Sequence, residues 1–224
     1  MERKIITTAD GSVTIHLPGW DEQYHSRHGA VQEAQHVFIK MGLHYYLERT
    51  KIDALNILEI GFGTGLNAFI TFLEAAKLQK KINYTGVEAY PVSSPEIALL
   101  NYPEMLVAED FKEEFMQMHH IRWEKAIAVS HYFQLKKQKK KFEEIEDTCL
   151  YHLIYFDAFG ARVQPHLWSE EIFQKMYEAL QPGGVLVTYA AKGSVRRAMI
   201  KVGFKVEKLS GPPGKREMLR ALKI

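Results

Sequence analysis

The sequence predicts one α/β domain built on a mostly parallel sheet that helices cover on both faces. Short apolar runs alternate with segments of helical periodicity along most of the chain. The apolar runs are nearly continuous, as is typical of strands that are buried on both faces. Glycine and proline turns separate the two kinds of segment. Together these observations favour alternating strands and helices over an all-helical or all-β fold.

The first part of the chain predicts a small hairpin and a helix. Two β-prone runs, residues 5–8 and 13–16, flank the turn signal Asp10-Gly11. Apolar residues then recur at helical spacing over residues 31–48. We expect these elements to form an N-terminal extension packed on the core.

Seven strands are predicted in the core, alternating with helices. The strands are residues 55–60, 84–88, 132–135, 150–156, 185–189, 204–209 and 218–222. The helices are residues 66–78, a segment that begins near 94, a broken segment over 101–123, and residues 169–180 and 194–201. This pattern divides the chain into an extension, residues 1–50, and a core, residues 51–224.

Composition and charge limit the class of protein. The 224 residues are 46% hydrophobic and 25% charged, with the single cysteine Cys149, and no apolar run approaches the ~20 residues of a membrane span. These features favour a cytoplasmic location. Residues 192–224 contain ten Lys or Arg against two Glu, a charge of +8, whereas the whole chain carries +2. This asymmetry favours a polyanionic partner, although a charge run is more often a solvated surface.

A glycine turn and a carboxylate follow the first two core strands. Ligands of open α/β sheets bind beyond the carboxyl ends of the strands. Gly61, Gly63 and Gly65 allow the backbone to turn tightly and approach a ligand there. Glu88 can accept two hydrogen bonds from a ribose diol. The third glycine arrives one residue too early for the dinucleotide pattern G-x-G-x-x-G, which disfavours a nicotinamide oxidoreductase.

This turn, with Glu59 two residues before it, resembles the first motif of Rossmann-like S-adenosylmethionine methyltransferases. A glycine turn used only for strand-helix packing is the alternative. Asp157 follows a later strand, where amino-methyltransferases often carry Asp or Asn before an aromatic residue. Its carboxylate could orient an acceptor amine and receive the released proton. Taken alone, Asp157 would more often be a helix or turn cap, but together with the other motifs a functional role is favoured.

Longer motifs resemble one family, the methyltransferase part of MnmC, which is also found alone as MnmD. The segments L-E-I-G-F-G-T-G-L-N (58–67), I-Y-F-D-A-F (154–159) and G-K-R-E-M-L (214–219) carry the resemblance, which spans about residues 24–222. It implies a class I Rossmann-like fold and S-adenosylmethionine as cofactor. The implied reaction methylates the aminomethyl nitrogen of 5-aminomethyl-2-thiouridine at the tRNA wobble position, giving 5-methylaminomethyl-2-thiouridine. The FAD oxidase domain of the fused family members is expected to be absent from this chain.

Site residues follow from the motifs and the resemblance. Asp157 is the predicted catalytic residue. The predicted cofactor-binding residues are Glu59, Gly61, Phe62, Gly63, Gly65, Asn67, Glu88 and Asp157. The predicted substrate-binding residues are Tyr24, Trp168, Tyr189, Lys192, Arg196, Arg197, Lys215 and Arg216, the basic ones for phosphates of the tRNA anticodon arm and the aromatic ones for the base. Core packing is an equally common role for each aromatic residue.

The same motifs allow other interpretations of the function. The histidines lack partners at ligand spacing, so no metal site is predicted. A methyltransferase that acts on a small-molecule or protein amine would carry the same motifs. A non-catalytic RNA-binding protein could also retain the cleft. Steep salt dependence of binding would favour a nucleic acid over a small neutral substrate.

Overall fold

The computed structural model describes residues 2–224, in which the strands form two sheets. The smaller sheet is antiparallel and consists of β1 (Lys4–Thr7), β2 (Val13–Leu17) and β3 (Glu22–Gln23). Asp10 Oδ1 stabilises the turn between β1 and β2 by accepting hydrogen bonds from the hydroxyl of Thr8 at 2.7 Å and the backbone N–H of Ser12 at 3.1 Å. The predicted hairpin is confirmed, with β3 as an additional strand.

A long helix, α1, follows the small sheet and packs on the main one. It is α-helical over Ala30–Ala34, a π-helix over Gln35–His44 and α-helical again over Tyr45–Leu47. Gly42 permits close packing on the sheet, since a Cβ there would lie 2.9 Å from Cγ2 of Val187. The helix therefore lies where its predicted apolar face requires, against the core.

The main sheet has eight strands. They are β4 (Ala54–Ile60), β5 (Lys81–Val87), β6 (Ala126–Ala128), β7 (Phe133–Gln138), β8 (Tyr151–Phe156), β9 (Leu180–Thr188), β10 (Lys205–Ser210) and β11 (Glu217–Leu222). Their order is β10-β11-β9-β8-β4-β5-β7-β6. The five strands from β9 to β7 are parallel, while β6, β10 and β11 are antiparallel to their neighbours. The mostly parallel sheet is confirmed; the short edge strand β6 was not predicted.

Helices cover both faces of this sheet. They are α2 (Leu66–Leu78), α3 (Ser94–Ile97), α4 (Tyr102–Met105), α5 (Lys112–His120), α6 (Glu170–Ala179) and α7 (Gly193–Lys201). One buried cluster joins α1, α2 and α5 to the sheet, and it includes Phe38, Phe69 and Phe115. A second cluster joins α6 and α7, and it includes Phe173 and Met199. The three-layer arrangement follows the sequence prediction. Within residues 2–224, none of the helices has both the length and the apolar character that a membrane span needs.

Two strands extend beyond their predicted bounds. β9 begins at Leu180, which pairs with β8, although Pro182-Gly183-Gly184 reads as a turn. The glycines remain in the strand because Gly183 N–H donates to the carbonyl of Lys223 at 2.8 Å. β7 continues into a lysine-rich run, residues 136–141. One of its lysines, Lys137, is only 1% exposed.

Burial of Lys137 shows that the lysine run is not simply a solvated surface. Its ammonium donates to the carbonyl of His119, in the last turn of α5, and lies 4.6 Å from the centre of the Trp123 ring. A cation is favourable at a helix C-terminus. Burial lowers the pKa of Lys137 to about 8. This lysine therefore anchors α5 to the sheet.

We expect Gly86→Ala, in β5, to destabilise the fold, because its Cβ would lie 2.4 Å from Cδ2 of the buried Phe62 ring. Relieving this overlap should lower the free energy of unfolding by about 1–3 kcal/mol in urea titration. Gly19→Ala is the matched control, since a Cβ at Gly19 meets no heavy atom within 4 Å. Equal stabilities for the two variants would contradict this packing.

Candidate active site

A cleft of about 580 Å³ lies at the carboxyl edge of the parallel strands. Its walls come from the segments that follow β4, β5, β7 and β8, together with the N-terminal segment. Volumes of 300–1,000 Å³ are typical of small-molecule sites. The topology therefore brings the residues after several strand ends into one place, as the sequence predicted.

The glycine turn after β4 forms one wall, and its conformation requires glycine. Gly61 and Gly63 line the cleft with φ of +90° and +50°. A Cβ on Gly61 would lie 2.7 Å from the carbonyl oxygen of Asp157, and one on Gly63 would lie 3.0 Å from Tyr24 Cδ1. Gly65, with φ of +73°, does not line the cleft but begins α2. The turn thus brings bare backbone to the cleft wall.

Glu88 lies beside the same turn and is held by backbone donors. Its Oε2 accepts a hydrogen bond from Gly63 N–H at 3.0 Å, and its Oε1 accepts one from Tyr90 N–H at 2.8 Å. Each carboxylate oxygen can accept a further hydrogen bond. Glu88 lines the cleft, so this fixed carboxylate is placed to bind a diol there.

Asn67, in the first turn of α2, connects two carboxylates. Its Nδ2 donates to Glu59 Oε1 at 2.9 Å and to Asp157 Oδ2 at 2.8 Å. The amide oxygen of Asn67 and Oε2 of Glu59 are buried without a hydrogen-bond partner. Asn67 and Asp157 line the cleft, whereas Glu59, 1% exposed, lies behind Asn67. Glu59 therefore does not line the cleft itself, but it binds the amide of Asn67, which does.

Burial sets the charge of this pair of carboxyl groups. It raises the pKa of Asp157 to about 7, reinforced by the carboxylate of Glu33 and opposed by Asn67 and Lys215. Burial also raises the pKa of Glu59 well above its usual range. Burial therefore favours the neutral form of Glu59, while the pKa of Asp157 lies near neutral pH.

The predicted aromatic residues divide into two groups. Tyr24 lines the cleft, but Trp168 and Tyr189 do not. Trp168 Nε1 donates to the carbonyl of Phe159 at 2.8 Å, and the Tyr189 hydroxyl donates to the carbonyl of Ala158 at 2.8 Å. Trp168 and Tyr189 therefore stabilise the segment after Asp157 and do not lie at the cleft wall.

The cleft residues that were not predicted include the aromatic residues Trp20 and Phe159. Both rings line the cleft, with their centres 5.9 Å apart, and Tyr24 approaches Phe159 edge-on at 4.9 Å. The D-A-F motif was a signal for Phe159. No sequence signal distinguishes Trp20, because its place depends on how the small sheet docks.

The basic residues lie outside the cleft, at the same edge of the sheet. Lys192, Arg196 and Arg197 follow β9, and Arg216 precedes β11. Within residues 2–224 these four side chains have no ion-pair or hydrogen-bond partner. Lys215 differs, because its ammonium pairs with Glu33 and lies 3.8 Å from the centre of the Tyr189 ring. An internal ion pair therefore occupies one of the predicted phosphate-binding residues.

His25 lines the cleft as a neutral side chain. Its Nδ1 lies 3.0 Å from the hydroxyl of Thr14, and burial lowers its pKa to about 4. Within the described part of the chain, no three His, Cys, Asp or Glu side chains are grouped as a metal site would require. Lys141 also lines the cleft.

These residues fit S-adenosylmethionine. The unpartnered amide oxygen of Asn67 and the glycine cradle suit its polar amino-acid part. Glu88 is available for the ribose diol. Of the eight predicted cofactor residues, Gly61, Phe62, Gly63, Asn67, Glu88 and Asp157 line the cleft, whereas Glu59 and Gly65 support it from behind.

Comparison with known families identifies the class of enzyme. A family described as S-adenosyl-L-methionine-dependent methyltransferase matches residues 105–224, which is more than half of the chain. The chain belongs to this family. The predicted cofactor class, S-adenosylmethionine, and the predicted enzyme class, a methyltransferase, are thereby confirmed.

Curated relatives of this methyltransferase match nearly all of it. The tRNA 5-methylaminomethyl-2-thiouridine biosynthesis bifunctional protein MnmC of Nitrosospira multiformis is 31% identical over 212 residues, which cover 88% of this chain and 33% of that protein. The Leptospira borgpetersenii protein of the same name is 29% identical over 89% of this chain and 32% of its own. The resemblance to MnmC is confirmed. The chain spans about a third of the length of these relatives.

Solved structures confirm the fold. MnmC2 from Aquifex aeolicus superposes with a TM-score of 0.77 and 24% identity, covering 98% of this methyltransferase and 70% of that chain. Spermidine synthase from Thermotoga maritima superposes with a TM-score of 0.60 and 15% identity, covering 99% and 69%. The shared architecture includes the Rossmann-like sheet.

The raised pKa of Asp157 predicts a pH-dependent effect of Asp157→Asn on stability. The folded-state pKa, about 7, exceeds the ordinary value of 3.8, so the native state retains a proton that the unfolded state has lost. Wild-type stability therefore falls as pH rises from about 4 to 7. We expect Asp157→Asn to raise the Tm by roughly 5 °C or more at pH 8, and by much less at pH 5.

Asp110→Asn is the control for this measurement, because Asp110 is exposed and does not line the cleft. Its Tm difference from wild type should be small and independent of pH. A Tm difference for Asp157→Asn that does not change with pH would show that Asp157 is not buried as a titrating carboxyl group.

Proposed function

We propose that this methyltransferase methylates the aminomethyl nitrogen of 5-aminomethyl-2-thiouridine at the wobble position of tRNA, giving 5-methylaminomethyl-2-thiouridine. The observation that carries the proposal is the half-buried Asp157, bound by Asn67 at the cofactor cleft with a pKa of about 7. The names of the relatives, which refer to biosynthesis of this nucleoside, support the choice of substrate. We place the reaction in the cytoplasm.

Asp157 has the properties that an amine acceptor requires. A protonated amine has no lone pair, so the acceptor must be neutral before it can react. The carboxylate of Asp157 can accept an N–H hydrogen bond, orient the lone pair and take up the proton that leaves the nitrogen. Its pKa of about 7 keeps it close to the pH at which both accepting and releasing a proton are easy.

The remaining cleft residues would bind the cofactor and limit the negative charge of the site. S-adenosylmethionine supplies an electrophilic methyl group on a sulfonium. Glu88 would bind its ribose diol and Asn67 its amino-acid part, and the glycine turn would lie against it. The raised pKa of Glu59 favours its neutral form, which would limit the negative charge beside Asp157.

The tRNA would be bound through its phosphates by the basic residues at the cleft edge. Within the described residues 2–224, the side chains of Lys192, Arg196, Arg197 and Arg216 lack partners. These residues follow or precede strands whose ends border the cleft. Such contacts position an anticodon arm without reading its sequence. A flipped base then enters the cleft, where aromatic rings can stack on it.

Single-turnover methyl transfer from labelled S-adenosylmethionine to tRNA tests the proposal, with tRNA purified from cells that lack this protein. Label should appear in 5-methylaminomethyl-2-thiouridine, at a rate that rises with pH through about 7 as Asp157 ionises. Asp157→Asn should slow transfer by about 100-fold or more, while the Kd for S-adenosylhomocysteine changes less than about threefold.

The control for this experiment is direct measurement of the aminomethyl nucleoside in the tRNA. No label despite cofactor binding and confirmed substrate nucleoside would overturn the substrate assignment. Label in a small-molecule or protein amine instead would establish the alternative acceptor.

Salt dependence tests the proposed phosphate contacts. We expect Arg197→Ala and Arg216→Ala each to weaken tRNA binding and to reduce the slope of log K against log salt by about 1. Lys51→Ala is the control, because Lys51 is exposed immediately before β4, at the opposite edge of the sheet. An unchanged slope in both arginine variants would place the tRNA elsewhere.

A further inference from the structure

Two aromatic rings beside Asp157 are not part of the hydrophobic core. Trp20 and Phe159 line the cleft and are half-buried, and their rings meet edge-on at an interplanar angle of 83°. Neither belongs to the three hydrophobic clusters of the described chain. Phe159 comes two residues after Asp157. Core packing therefore does not explain these rings, and they face the space next to the predicted catalytic carboxylate.

The side chain of Arg162 binds the backbone that carries Trp20. Trp20 ends the short turn Pro18–Trp20, and Asp21 after it has a left-handed φ of +45°. One guanidinium nitrogen of Arg162 donates to the carbonyls of Trp20 at 2.9 Å and of Asp21 at 2.7 Å. It also lies 3.5 Å from Oε2 of Glu22. Arg162 thus binds three consecutive residues of this turn.

Arg162 belongs to the same loop as Phe159. A Cβ on Gly160 would lie 3.4 Å from Glu22 Oε2, so the loop rests directly on the turn. The contacts of Arg162 with Trp20, Asp21 and Glu22, here called the clamp, therefore join the two chain segments that supply the two rings. A left-handed non-glycine residue such as Asp21 costs free energy unless its surroundings fix it. Arg162 is the side chain that bonds to this residue's carbonyl.

We propose that Arg162 is a positioning residue that holds Trp20 against Phe159, so that these rings and Tyr24 form a stacking subsite for a planar acceptor base beside Asp157. The proposal rests on the proposed function, because it assigns the acceptor to a nucleobase. Unstacked bases bind aromatic side chains through their faces. Holding the rings in place before binding reduces the ordering cost of capturing the base.

Stability alone does not account for the clamp. The side chain of Arg162 is 57% exposed, and an exposed ion pair contributes little to folding. Removing the side chain of Arg162 should therefore leave the fold intact and weaken acceptor binding. This separation makes the proposal testable by substitution.

A double-mutant cycle tests whether Arg162 acts through Trp20. We measure kcat/KM for tRNA in Arg162→Ala, Trp20→Ala and the double variant. We expect Arg162→Ala to lose about tenfold, mainly in KM, and the double variant to lose no more than Trp20→Ala alone. Arg162→Lys and Trp20→Phe should each retain part of the activity. The Kd for S-adenosylhomocysteine should stay within about twofold of wild type throughout.

Acrylamide quenching of Trp20 provides a second readout that needs no turnover. The emission of Trp20 is obtained as the difference between proteins with and without Trp20→Phe. Arg162→Ala should increase its quenching by about twofold, because the turn is released. Arg122→Ala, at an exposed arginine with no ion-pair partner in the described chain, is the control and should change neither readout.

The outcomes separate this inference from the proposed function. Losses that multiply in the double variant, or unchanged quenching in Arg162→Ala, overturn the clamp while tRNA methylation stands. Absence of tRNA methylation by the wild type overturns the proposed function. The cycle is then run with the amine acceptor that the wild type does methylate, and a multiplicative loss there again rejects the clamp.

Discussion

One amide, that of Asn67, connects two carboxyl groups at neighbouring parallel strands. Glu59 is the last residue but one of β4 and Asp157 directly follows β8, so both lie near the carboxyl edge of the sheet. Two ionised carboxylates could not share this space without strong repulsion. The amide donates to both, and burial raises the pKa of Glu59, which favours its neutral form. This contact joins the start of α2 to the residues at the ends of β4 and β8.

The second half of the cleft comes from segments far apart in the chain. Glu33, on α1, pairs with Lys215 in the β10–β11 loop, and Arg162 binds the turn before β3. A Cβ at Gly214 would collide with the ring of His28, so the same loop lies against the N-terminal segment. The small sheet and α1 thus complete a site that the main sheet begins.

Features that are determined by residues close in sequence could be predicted, whereas features that depend on contacts between distant parts of the chain could not. The glycine turn, Glu88 and Asp157 could be predicted because a strand end places the next residues at the ligand edge. Trp20 could not be predicted, since its position depends on contact with a loop some 140 residues later. Trp168 is close to Asp157 in sequence, yet its indole N–H is directed to the carbonyl of Phe159.

Two lysines also have surroundings that the sequence did not predict, because their partners are distant in the chain. Lys137 looked like part of a solvated charge run, but its partner is a carbonyl at the end of α5. Lys215 was predicted to bind phosphate, but its ammonium pairs with Glu33 on α1. In both cases a local composition rule was overridden by a tertiary contact. Residues whose role depends on one neighbour in sequence were easier to assign than residues whose role depends on one neighbour in space.

The position of β11 has a consequence for how the chain folds during synthesis. β11 lies inside the sheet, between β9 and the edge strand β10, although it is the last strand in sequence. Until residues 217–222 leave the ribosome, β9 presents an unpaired apolar edge, of the kind that promotes aggregation. The parallel strands can associate earlier, but the sheet closes only when the final hairpin docks. Newly made chains therefore depend on the antiparallel hairpin to protect the edge beside the active site.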